Sequence, residues 1–150
     1  MSDIMTKSMA RNVFYGGSLF FIAIFGVLSV HSHLYAVNTS TDKAGLTESV
    51  AAGKHVWEKH ACVNCHTILG EGAYFAPELA NVMARWGVQD DPTAATEALK
   101  TWMDAMPTGI EGRRQMPQFN LSDEEYQDLA NFLLWTGKIN TQGWPPNEAG

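Results

Sequence analysis

Cys62 and Cys65 are the two cysteines of the chain, and His66 follows the second without a gap, in "CVNCH". Four chemistries use such a pair: a disulfide, a zinc site, a dithiol redox couple and covalent haem attachment. Two cysteines exclude a four-cysteine zinc ribbon. A Cys2His2 site needs two histidines downstream, and His66 is the last histidine in the sequence. A thioredoxin-type dithiol belongs beside a βαβ pattern, which the sequence does not have. Haem c attachment remains. Two cysteines three residues apart on a helical turn can each add to one of the two vinyl groups on a haem edge. The residue after the second then stands over the iron as its proximal ligand.

The other axial position calls for Met in a carrier of raised potential or His in one of lower potential. After His66 the sequence offers Met83, Met103, Met106 and Met116. Met83 and Met103 fall inside predicted helices, where core packing is the ordinary role of Met. Met106 and Met116 both precede a proline in loop context. Met116, in "RRQMPQFN" just before the last helix, is the preferred ligand, with Met106 as the alternative. With both axial positions filled, the iron has no site for substrate, so the domain transfers electrons and catalyses nothing. His66 also needs an acceptor for its second ring N–H. A backbone carbonyl near Pro77 suits better than Glu71, which would add buried charge. Arg113 and Arg114 are candidates for pairing with haem propionates, and His55 and His60 read as surface residues.

The elements that must position these residues are helical. "TESVAAGKHVWEKHA" puts Val50, Trp57 and Ala61 on one side, with Thr47 as cap. "PELANVMARWG" would begin with Pro77 in its first turn and end at Gly87. "DPTAATEALKTWMDAM" has Asp91 as cap and Pro92 at the first helical position. "SDEEYQDLANFLLWTG" carries a capping box of Ser122 and Glu125 and stops at Gly137. No run alternates over strand length, so the fold class is all-α. Long Gly- and Pro-containing connections, Thr67 to Ala76 and Pro107 to Leu121, leave a small core, which a large buried cofactor would complete.

Ahead of this domain lies a different composition. From Asn12 to Thr41 there is no Asp, Glu, Lys or Arg, and Val13 to Val30 is almost wholly apolar. A helix of about 20 such residues crosses a hydrocarbon layer. The run is longer than the apolar region of a signal peptide, and Leu34 makes a poor cleavage site. The expected organisation is a cytoplasmic tail over 1–12, a single transmembrane anchor over 13–36, a polar linker over 37–46 and a haem domain over 47–150. Lys7 and Arg11 before the span place the N-terminus inside and the haem domain outside, in the periplasm of a Gram-negative cell. His31 and His33 fall at the outer interface. The whole chain has a net charge of -6, which argues against a nucleic-acid partner; a negative surface could steer a basic partner.

Gly53 and Trp57, "CVNCH", Pro77-x-Leu79, "MPQF" and the aromatic last helix resemble class I cytochromes c in order and spacing. The resemblance implies that Gly53 and Trp57 cross against Phe132 and Trp135, that Pro77 offers its carbonyl to His66, and that Met116 is the sixth ligand. With the N-terminal anchor, "CVNCHTILGEGAYFAPELANV" and "RRQMPQF" make the chain similar, over nearly its whole length, to the small cytochrome c subunits of bacterial cytochrome c-dependent nitric oxide reductases. That resemblance implies a single-pass protein of the bacterial inner membrane. Its partner would be a large membrane subunit holding haems b and a non-haem iron, which reduces two NO to N2O and water. This chain would take electrons from a periplasmic cytochrome c or cupredoxin and pass them through haem c to haem b. The resemblance also implies an interface calcium that takes backbone oxygens from Gly72 and Tyr74. A free-standing membrane-anchored cytochrome c shuttle and a mono-haem subunit of a terminal oxygen reductase are the competing functions. Neither calls for the Thr67–Leu79 loop.

Overall fold

The computed structural model describes residues 5–144 and separates the chain into two compact units, divided between Thr39 and Ser40. The first is one helix, α1 (Lys7–Tyr35), followed by a short π-helical turn (Ala36–Ser40) whose last residue, Ser40, already belongs to the second unit. Thr6 caps α1, its hydroxyl accepting from the Met9 N–H at 3.2 Å. At ~1.5 Å per residue, 29 residues reach roughly 43 Å, enough to cross a bilayer core. None of its residues is buried, and its most apolar stretch has a mean hydropathy of 2.1. A helix that leaves Phe20, Phe21 and Phe25 exposed is suited to lipid, and the arrangement is consistent with a single-pass anchor.

The second unit is built on two crossing helices, α2 (Glu48–Lys59) and α5 (Asp123–Thr136), with α4 (Pro92–Ala105) packed on α5. A short α3 (Val82–Arg85) adds Val82 and Met83 to the core. The caps read from the sequence are in place. Thr47 accepts from the Val50 N–H, Asp91 from Thr93 and Ala94, and Ser122 and Glu125 form both halves of a capping box. The α2–α5 crossing depends on Gly53. A Cβ built there would lie 2.0 Å from the Asp128 carbonyl oxygen and 2.7 Å from the Phe132 Cβ. Trp57 then meets Phe132 with ring centroids 6.4 Å apart. Trp135 packs at the edge of this core and donates its indole N–H to the Asp42 carbonyl at 2.9 Å. Within this unit the end of the segment expected as a linker is therefore tied to α5 through Asp42, and the Asn140 N–H donates to the Ser40 carbonyl as well.

Three local expectations are corrected. Ala61 lies beyond α2, exposed and in the left-handed region at φ 52°, where the chain turns into the cysteine segment. The helix expected to start at Pro77 begins only at Val82. The mostly helical domain also holds one small hairpin, β1 (Thr67–Ile68) paired antiparallel with β2 (Glu71–Gly72). Its two-residue connection, Leu69 and Gly70, has positive φ at both positions, the backbone that a tight hairpin turn requires.

Candidate haem site

The cysteine segment leaves α2 through Ala61 and closes one tight 3-10 turn over Cys62–Asn64. The N–H groups of Cys65 and His66 both donate to the Cys62 carbonyl, at 3.1 and 2.9 Å. This turn brings Cys62, Cys65 and His66 to one wall of an apolar cleft of about 210 Å³; Met116 and Phe119 line the same cleft. Both thiols are unpaired and partly buried. Burial pushes the Cys62 thiol up to about 11, with a smaller contribution from Cys65 beside it. A thiol held protonated is a poor zinc ligand or redox nucleophile. It retains the S–H that adds across a vinyl double bond, making a thioether with no leaving group and no net oxidation.

The His66 Nδ1–H donates to the Pro77 carbonyl at 2.8 Å. A carbonyl only accepts, so the proton is on Nδ1, and the lone pair on Nε2 is free for a metal. Burial holds the ring's pKa below its ordinary value, and the Pro77 bond opposes that only in part. The imidazole is thus neutral, as a metal ligand must be. The Trp57 ring, centred 6.3 Å away, packs beside it.

The loop from Thr67 to Ala80 is organised by a residue that its sequence context does not single out. Glu78, 5% exposed, accepts the N–H groups of Leu69 at 2.9 Å, Ala80 at 3.0 Å and Gly70 at 3.5 Å. Burial alone would raise its pKa. The Thr67 hydroxyl beside it, outside good hydrogen-bond geometry, and the three backbone donors outweigh burial and hold it low. Its signal in the sequence is weak: a single carboxylate directly after Pro77. Arg85 reads the same segment from α3, donating to the Glu78 carbonyl and the Asn81 side chain, each at 2.7 Å. Backbone bonds complete the loop: Ala73 N–H to Val63, Ala76 N–H to Cys65 and Leu79 N–H to Thr67. The loop is thus folded directly onto the cysteine turn and presents the Pro77 carbonyl to His66.

Gly72, expected as a backbone calcium ligand, has a packing reason of its own. At φ 124°, a Cβ there would stand 2.2 Å from the His66 carbonyl oxygen. Tyr74 is exposed, with its hydroxyl donating to Gly70. Among the described residues no three His, Cys, Asp or Glu side chains gather to hold a cation, so calcium draws no support from side chains.

Of the methionines, Met83 and Met103 are buried in the core. Met106 caps the C-terminus of α4 and does not line the cleft, whereas Met116 does. Arg114 places its guanidinium 4.5 Å from the centre of the Phe75 ring, which lines the cleft. His60, expected at the surface, instead turns toward the cleft at the end of α2. Its ring lines the cleft, and its Nε2 is buried with no hydrogen-bond partner. Two thiols, one oriented imidazole and one thioether around an apolar cleft fit a covalently bound haem.

Residues 50–137 match the family model for cytochrome c. Over all 150 residues of both chains, the sequence is 71% identical to the C subunit of nitric oxide reductase from Paracoccus denitrificans. The same full coverage holds for the C subunits of nitric oxide reductase from Halomonas halodenitrificans at 59% and from Stutzerimonas stutzeri at 49%. The chain belongs to the family of nitric oxide reductase C subunits. As a member of that family it is a cytochrome c that transfers electrons, and its CxxCH pair carries covalent haem c. The shuttle and oxygen-reductase alternatives fall away with that assignment.

Proposed function

We propose that this chain is the electron-entry subunit of a membrane nitric oxide reductase, with Cys62 and Cys65 tethering the haem and His66 and Met116 as axial ligands. Bound haem supplies a one-electron iron couple. The residues of the chain do the rest. His66, made a stronger donor by Pro77, and the Met116 thioether would hold the haem iron between them and so would keep NO and oxygen off it. A Met ligand favours the reduced iron and raises the potential. The apolar cleft limits water, which keeps the rearrangement on gaining or losing an electron small.

The electron enters from a periplasmic cytochrome c or cupredoxin and leaves for a haem b of the large partner subunit. There two NO, two electrons and two protons become N2O and water. α1 crosses the inner membrane once, with Lys7 and Arg11 on the cytoplasmic side, and the haem domain faces the periplasm. The Thr67–Leu79 loop meets the partner, and any interface calcium would take the Gly72 and Tyr74 backbone oxygens there. The observation that carries this reading is full-length similarity to nitric oxide reductase C subunits, joined to a cleft that brings Cys62, Cys65, His66 and Met116 together.

Affinity purification from denitrifying cells tests it. The chain is expected to bring down a haem b-containing subunit, and the complex to consume NO with a reduced cytochrome c or cupredoxin as donor. Recovery as a lone haem protein, with NO consumption unaffected by its deletion, would overturn it.

A further inference from the structure

Met116 lies on irregular chain between α4 and α5, yet an axial thioether must be held firmly, since a neutral sulfur ligand is easily displaced. The structure shows what holds it. Two residues before Met116, the Arg114 guanidinium covers the Phe75 ring at 4.5 Å. Three residues after it, Phe119 meets the His60 ring edge-on, with centroids 5.0 Å apart. Phe75 belongs to the loop that supports His66, and His60 to the end of α2 just before Cys62. Each contact therefore ties one flank of the Met116 segment to the opposite, cysteine-bearing wall of the cleft.

Other bonds fix the segment only to its own side. With its amide oriented to satisfy its neighbours, Gln115 donates to the Pro107 carbonyl at 3.0 Å and accepts from Gly109 and Ile110. Gln118 donates to the Asp104 and Met106 carbonyls at the end of α4. These shape the strap without pressing it onto the haem side.

We infer that Arg114–Phe75 and His60–Phe119 form two aromatic clasps that position Met116 and oppose its displacement from the iron. This rests on Met116 being the axial ligand. The clasps act through Met116 and not on the electron itself, so these four are positioning residues.

The test uses the full-length chain, matured with its haem and purified in detergent. It reads the near-infrared sulfur-to-iron band of the oxidised protein and the affinity of the haem for imidazole. Each clasp removed alone, by Arg114→Leu or Phe119→Leu, is expected to tighten imidazole binding about threefold, and the double variant about tenfold. Phe75→Tyr and Phe119→Tyr, which keep the rings, are expected to match the wild type. Should Phe119→Leu fail to mature, Arg114→Leu and Phe75→Leu, both at exposed positions, decide the matter through the first clasp alone. Imidazole affinity within twofold of wild type in the clasp variants, with the band intact, would overturn the inference. A band that survives in Met116→Ala would instead overturn the ligand assignment beneath it.

Discussion

His66 Nδ1 donates to the Pro77 carbonyl at 2.8 Å across eleven residues of chain. That single bond fixes the tautomer of His66, the proposed proximal ligand, and gives the structured loop after the cysteine pair a role. In the proposed site, attachment of haem needs only Cys62, Cys65 and His66. Aiming His66 needs a carbonyl held still, and Glu78, beside Pro77, holds the loop still by gathering three backbone N–H groups.

Glu78→Gln is expected to destabilise the domain by about 1–3 kcal/mol at pH 7, since one amide oxygen cannot replace a carboxylate that accepts from several buried donors. The pH dependence has a definite sign. The folded pKa of Glu78 lies below its ordinary 4.5, so its stabilising contribution is present above that value and is lost as pH falls through the folded pKa. Urea unfolding should show a gap between wild type and Glu78→Gln that is constant above about pH 5 and narrows below 4.5. A gap independent of pH would contradict the assignment.

Gly53→Ala sets two effects against each other. Alanine gains about 1 kcal/mol of helix propensity, but its Cβ would lie 2.0 Å from the Asp128 carbonyl oxygen. Both groups belong to packed helices, so relief requires α2 and α5 to separate, and overpacking of this kind costs about 1–3 kcal/mol or more. The clash is expected to win. Thermal melts should show a midpoint lowered by several degrees, whereas a variant as stable as wild type would mean that the crossing is looser than described.

Cys62→Ala and Cys65→Ala are each expected to leave one thioether. Intact mass under denaturing conditions should retain one haem, and the reduced pyridine adduct should shift toward that of a haem with one unreacted vinyl. The double variant should release its haem completely. Covalent haem in the double variant would place the attachment elsewhere.

Met116→Ala is expected to lose the near-infrared sulfur-to-iron band and to lower the potential of the haem, because the neutral thioether favours the reduced iron. A redox titration followed at the c-type haem band measures the second effect. An unchanged potential with the band retained would move the ligand to Met106.

What the sequence made legible was local. Thr47, Asp91 and the Ser122–Glu125 pair cap helices through bonds within three residues, and Cys62, Cys65 and His66 are neighbours, so their chemistry is written in their spacing. The misreadings involve groups brought together from a distance. Pro77 looks like the first turn of a helix, but its carbonyl is taken by His66 and the next side chain binds Leu69, Gly70 and Ala80. The chain is therefore held irregular until Val82. A hairpin with two residues per strand is too short to show periodicity, and only its turn, Leu69-Gly70, leaves a trace. His60 has the composition of a surface residue. Only the end of α2 and the Phe119 ring, 59 positions later, turn it toward the cleft. Gly72 stands out in the sequence only through a family resemblance, and the structure adds the reason that His66 leaves no room for a side chain.

The central claim is that electrons reach the catalytic partner through the haem held by this chain. The most direct measurement is rapid-mixing spectroscopy of the purified complex, reduced beforehand and exposed to NO, followed at the c-type haem band. Oxidation of that haem in step with NO consumption, on the timescale of turnover, is the expected result. A c-type haem that stays reduced while NO is consumed would contradict the account.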